Sequence, residues 1–145
     1  MKISFGDVCS RCRQALGELE PFLTEQLENL NLITDLALTN ALLGDKAAAF
    51  NLIDRAMATV PVQTDALTGP AWLDGLARVA AHTGEPDRAI ATLQQLLSMP
   101  GDGALDKYMP LTPALLRLDP MFDPLRNDPH FQKLVASPTP KAPNK

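Results

Sequence analysis

Residues 30–59, LNLITDLALTNALLGDKAAAFNLIDRAMAT, and residues 70–99, PAWLDGLARVAAHTGEPDRAIATLQQLLSM, decide the fold, because the second stretch repeats the pattern of the first forty positions on. Ile33 pairs with Leu73, Leu36 with Leu76, Ala37 with Ala77, Ala41 with Ala81, Gly44 with Gly84, Asp45 with Glu85, Ala49 with Ala89 and Ile53 with Leu93. Within each stretch the apolar residues recur at three- and four-residue steps, the period of a helix with one face turned inward. Each stretch is interrupted once, at Gly44-Asp45 and Gly84-Glu85, where glycine can take the left-handed conformation that ends a helix. Each is therefore expected to be a helical hairpin, with helices at about 30–43 and 46–59, then 70–83 and 86–99. The alanines at 37, 49, 77 and 89 supply small side chains where the two helices of a hairpin cross closely. An internal repeat of this kind is the signature of units that cannot bury their apolar face alone and must stack.

Upstream of the hairpins, Val8, Cys12, Ala15, Leu16, Leu19, Leu23 and Leu27 make one apolar stripe on a helix from about Asp7 to Leu30, with Pro21 expected to break or bend it near Glu20. Pro61 to Gly69 reads as a linker, and Pro70 suits the first turn of the helix that follows. Beyond Pro100-Gly101-Asp102-Gly103 the chain changes character. Thr112-Pro113, Asp119-Pro120, Asp123-Pro124 and Asp128-Pro129 each set a capping side chain before a proline, the arrangement of a helix start. Short helices are expected there, with Leu115, Leu116, Leu118, Phe122, Leu125, Phe131 and Leu134 covering the flank of the second hairpin. Residues 137–145 hold three prolines and few apolar side chains, and are expected to stay disordered.

Composition limits the function. The 145 residues are 46% hydrophobic, 21% charged and only 5% aromatic, and the net charge is −4 with Lys and Arg scattered. That distribution lacks the basic footprint of a nucleic-acid binder. No apolar run approaches the roughly 20 residues that span a bilayer, and the opening residues do not read as a signal peptide, so a soluble, cytoplasmic chain is expected. No glycine-rich phosphate loop, zinc-binding histidine–glutamate motif or nucleophile elbow occurs, so no catalytic residues and no cofactor are assigned. Cys9 and Cys12 form a CxxC, which can be a zinc half-site or a redox pair. A structural zinc site needs two further ligands at suitable spacing, and His82 and His130 lie far along the chain. The pair is read as helix-face cysteines with no metal.

The repeat resembles the tetratricopeptide motif: Ile33-x2-Leu36-Ala37-x2-Asn40, Ala49-x3-Ile53 and Pro61 in the first copy, Leu73-x2-Leu76-Ala77-x2-Ala80, Ala89-x3-Leu93 and Pro100 in the second. It departs from the motif at Asn40 and Ala80, which stand at the aromatic position, and its period exceeds the usual 34 residues. The closing segment Leu111 to Leu134, with Ala77 to Ala89 before it, resembles the end of bacterial tetratricopeptide regions that trail serine/threonine kinases, nucleotide cyclases and winged-helix regulators. The likeness covers about Glu18 to Val135. It implies an all-α fold of antiparallel hairpins stacked as a short right-handed superhelix over residues 1–136, with a C-terminal helical cap at 111–136. It also implies a non-catalytic scaffold that binds a peptide or protein.

In that family the first helix of each hairpin lines the concave groove. The register places Asn31, Thr34, Leu38, Ala41 and Leu42 there in the first copy, and Ala71, Asp74, Arg78, Ala81 and His82 in the second. Members that grip a terminal carboxylate use several basic and amide groups, and Thr34 and Leu38 do not supply them. Asp74, Arg78 and His82, four apart, share one helix face. They are expected to be either a solvated stripe with a weak ion pair or a site for an acidic partner. The partner is unidentified from sequence. A structural homodimer, or a regulatory tail acting on a kinase, cyclase or transcription regulator in a separate chain, are the alternatives.

Overall fold

A computed structural model of the chain describes residues 5–26, 28–59, 69–99 and 111–137. The linker after Thr59, the Pro100 to Gly103 stretch and the tail expected to be disordered beyond Ser137 lie outside the described residues, as do Leu27, Pro61 and Pro100. Among the described residues the fold is all-helical: α1 Phe5–Glu25, α2 Leu30–Leu43, α3 Lys46–Thr59, α4 Gly69–His82, α5 Pro86–Ser98, α6 Pro113–Leu118, a 3-10 helix η1 Pro120–Leu125, and α7 Pro129–Ala136. None of them is long and apolar enough to cross a membrane.

The paired helices form where the repeat places them. Asn29 caps α2 by accepting the Leu32 N–H at 3.2 Å, and Asp45 accepts the Ala48 N–H at 3.0 Å at the start of α3. Gly44 (φ 87°) and Gly84 (φ 76°) both take the left-handed conformation, which carries the chain from one helix of a pair into the next. Helix α1 departs from expectation. It runs through Pro21 without interruption and ends at Glu25, short of Leu30, because Asn29 caps a new helix that begins at Leu30.

Helix α2 packs against α3 and α4 against α5. Both α2 and α3 pack on α4, and α1 packs on α2. Ala37, Ala49, Ala77 and Ala89 are all fully buried, the condition for close helix crossings. Gly75 makes the α2–α4 approach closer still, since a Cβ there would overlap the Thr34 methyl group. Around these contacts lies one apolar core that includes Ile33, Ile53, Trp72, Leu73, Val79 and Leu93. The clefts at the aromatic motif position are closed otherwise than by a ring: Asn40 is buried with its amide donating to the Leu36 carbonyl at 2.9 Å, and Ala80 is fully buried.

The closing segment folds onto the second hairpin. Helix η1 packs on α4, and α7 packs on α6 and α5. Thr112, Asp119 and Asp128 each cap the element that follows, as their sequence positions suggest. Asp123-Pro124 begins no helix of its own; it lies inside η1, and Asp123 pairs with Arg126. Leu116, Phe122, Leu125 and Phe131 are buried, whereas Leu118, expected among the covering residues, is 75% exposed.

Candidate functional site

Within the stripe Asp74, Arg78, His82, the first two are buried and the third half-buried, not solvated, and this corrects its expected placement. Asp74 and Arg78 are 7% and 8% exposed, because η1 lies across α4 at this point. The Arg78 Nε donates to Asp74 Oδ2 at 2.7 Å, and its Nη2 donates to Asp119 Oδ2 at 2.9 Å. The guanidinium also stands 5.1 Å from the centre of the Phe122 ring. One cation is thus held by two carboxylates and an aromatic face, two of those three groups coming from the closing segment. Asp119 has a double task, since its other oxygen accepts the Met121 N–H at 2.9 Å and starts η1.

The electrostatics follow from this burial. Burial pushes the Asp74 carboxyl above its ordinary value, against the opposing pull of Arg78, and Asp119 adds to the rise. Asp74 Oδ1 has no hydrogen-bond partner, nor do Trp72 Nε1 and His82 Nε2. His82 is half-buried. Burial lowers its pKa, with Arg78 acting in the same direction; the Met121 backbone, within hydrogen-bonding reach, and Asp123 oppose. A neutral imidazole against η1 is the form this setting favours.

Positions in the first copy look different. Asn31 is exposed, and Thr34, Leu38 and Leu42 are half-buried, while Ala41 is buried. The Thr34 hydroxyl donates to the Leu30 carbonyl at 2.8 Å, which fixes its methyl group at Gly75. The six expected groove residues therefore do not line one open surface. Asn31, Thr34 and Leu38 lie on α2 outside the closing segment's main contacts, and Asp74, Arg78 and His82 lie beneath or beside it. The side chain of Ala71 is outside the described residues. Cys9 and Cys12 are free and half-buried on α1.

Three contributors to these polar and aromatic contacts were not recognised as such from sequence. Asp119 is explained by capping alone until the fold brings it to Arg78, forty-one residues away. Phe122 reads as one apolar residue among several, and only the structure sets it beneath a guanidinium. Phe50 is flanked by two cations, with Arg88 at 4.5 Å and Lys46 at 6.0 Å from its centre, and Lys46 pairs with Glu85 of the next hairpin. A signal for this last contact existed, since Asp45-Lys46 and Glu85-Pro86 occupy matching turns, but pairing between turns is invisible without the stacking.

No protein-family model, curated protein or solved structure matches the chain.

Proposed function

We propose that the chain is a non-catalytic scaffold, a short tetratricopeptide-like solenoid that binds a protein or peptide through the surface of its helical hairpins. The observation that carries this reading is the equivalence of the two hairpins. Each turns at a left-handed glycine, and each buries its alanine pair at the same register, Ala37 with Ala49 and Ala77 with Ala89. Stacked units of this kind present extended side-chain surfaces, and binding is the use to which such surfaces are generally put. The titratable cluster on α4 is turned inward, where it fastens the closing segment. Asn31, Thr34 and Leu38 on α2 are the part of the expected groove that remains for a partner.

Site-specific photo-crosslinking in the native host tests the reading. A photoreactive residue at Leu38 should give a defined protein adduct, and one at the exposed Gln94 of α5 should not. Adducts at Gln94 with none at Leu38 would place binding elsewhere and remove α2 from the proposal.

A further inference from the structure

Helix α2 is buried along one side through Ile33, Leu36, Ala37, Asn40 and Ala41. Its opposite side carries Asn31, Asp35, Leu38 and Leu42, which follow one another at steps of four, three and four and so share one face. Asn31 and Asp35 are exposed, and Leu38 and Leu42 are half-buried leucines that do not belong to the apolar core. Asp35 was not among the groove positions expected from the motif. Its neighbours nonetheless desolvate its carboxyl enough to raise it above the ordinary range, and no charge opposes the rise. No ion pair among the described residues includes it. The surrounding chain supplies no cation, since Gln14 to Asp45 holds Glu18, Glu20, Glu25, Glu28, Asp35 and Asp45 and no Lys, Arg or His. On the helices packed against α2, Arg78 is held by Asp74 and Asp119, Lys46 is held by Glu85, and Arg11 and Arg13 lie in the first half of α1 without contributing to the state of Asp35.

We infer that this face of α2 docks a basic amphipathic helix, with apolar side chains over Leu38 and Leu42 and a Lys or Arg on Asp35. The inference rests on the scaffold reading above and names the chemistry of the partner. Two leucines one turn apart gain by leaving water, and a stripe spaced at four, three and four is what a second helix reads with its own i, i+3 and i+4 side chains. From Asn31 to Leu42 the stripe runs about 16 Å, three turns of a partner. Charge selects among apolar helices. A carboxylate that has lost part of its hydration without gaining a cation favours a partner that brings one, whereas an uncharged cover deepens the desolvation and an acidic one adds repulsion. Arg78, the cation that was expected to meet an acidic partner, is already engaged under η1.

Fluorescence anisotropy of the full chain with defined peptides tests the inference. The probe is a labelled Leu/Lys peptide of helical period, as long as the 14 residues of α2, beside a Leu/Glu peptide of the same pattern and a scrambled Leu/Lys peptide without the period. The wild type should bind the Leu/Lys helix and neither control. Asp35→Lys and Leu38→Gln should each weaken that binding about tenfold or more, and Asp35→Asn, which keeps the side-chain shape, should weaken it in the same direction. Asp35→Lys should also take up the Leu/Glu peptide. Asp54→Lys, at an exposed acid of α3, makes the same change in net charge and should leave binding as it is. Circular dichroism checks that each variant keeps its helicity. The inference is overturned by a wild type that ignores the Leu/Lys helix, by equal binding of the scrambled peptide, or by an Asp54→Lys loss as large as that of Asp35→Lys. A Leu38 photo-adduct in the host whose crosslinked segment, mapped by mass spectrometry, carries no Lys or Arg also overturns it, and leaves the scaffold reading standing. Absence of both the adduct and peptide binding removes the two together.

Discussion

The stack of hairpins has two ends, and they are closed in different ways. At the C-terminal end, residues 111–137 supply three short elements, each begun by a capping side chain and a proline. They drive Leu116, Phe122, Leu125 and Phe131 into the core and anchor η1 to α4 through Arg78. At the N-terminal end a single uninterrupted helix of 21 residues covers α2 and contributes no fully buried side chain from Cys9 onward. A single helix shows one stripe to its neighbour, while a chain that turns every six to eight residues can aim side chains inward from several directions. The strength of a cap therefore depends on how many side chains it inserts, not on how many residues it spends.

The sharpest way to break this contrast is to remove the anchor. Arg78→Ala leaves Asp74 and Asp119 facing each other under η1 without their shared cation, and strips the guanidinium from the Phe122 ring. Loss of one partner from a buried ionic group costs about 3–5 kcal/mol, and the urea midpoint should fall accordingly, read by the fluorescence of Trp72, the single tryptophan. Arg11→Ala on α1 should change stability by about 0.5 kcal/mol or less, as exposed substitutions do. Asp119→Ser refines the point, because serine retains a capping oxygen for Met121 but cannot pair with Arg78. A loss for Asp119→Ser as small as that expected for a plain cap would mean that the ion pair is not what holds η1.

Between the two ends lies the seam that joins the hairpins. Gly75 and Thr34 meet there with no room for a Cβ, and the Thr34 hydroxyl bond to Leu30 prevents the side chain from turning away. Gly75→Val should cost about 1–3 kcal/mol by overpacking. In a Thr34→Ser background Gly75→Ala should be tolerated better than in the wild type, with a coupling of about 0.5 kcal/mol or more in a double-mutant cycle. Additive effects would show that the two helices do not approach as closely as described.

How much of this was legible in the sequence follows from which interactions are local. The hairpin helices, the glycine turns and the caps at Thr112 and Asp128 depend on residues within a few positions of one another, and the periodicity and Asx-Pro signals locate them. The buried alanines were also readable, because their spacing recurs at the repeat period. The fate of Arg78 was not. On its own helix it forms an ordinary i,i+4 pair with Asp74, and the same three residues describe a solvated stripe equally well until η1 is laid over them. The end of α1 was misplaced for a different reason: proline is penalised within a helix, but its cost is local and the flanking turns evidently offset it, whereas the Asn29 cap redirects the chain.

A smaller effect compares two caps. Asp128 accepts the N–H groups of His130 and Phe131 at 2.8 and 3.3 Å, and Asn29 accepts only that of Leu32. Asp128→Ala should cost about 1 kcal/mol, and Asn29→Ala somewhat less, since it satisfies one donor instead of two. Equal losses in thermal or urea unfolding would show that the second bond at Asp128 adds nothing.

The smallest expected effect also separates the ends, and it depends on pH. Position 82 carries histidine on α4, where the first copy has Leu42, so a histidine response belongs to the C-terminal end alone. His82 has a lowered pKa in the fold; the unfolded chain therefore takes up its proton first as pH falls below about 6.5. The contribution of neutral His82 is fully present above that value and declines as pH drops toward its folded pKa. Asp74 acts with the opposite sign. Its pKa is raised in the fold, so it favours the folded state in acid, and that contribution is lost as pH rises from about 3.9 through its raised value. The two contributions have opposite signs, so the comparison with His82→Gln isolates the His82 part. The urea midpoint should fall between pH 7.5 and pH 5.5, and His82→Gln should flatten that slope while leaving the response of the N-terminal end unchanged. An undiminished slope in His82→Gln would assign the pH response to another group and leave η1 fastened by Arg78 and its apolar contacts alone.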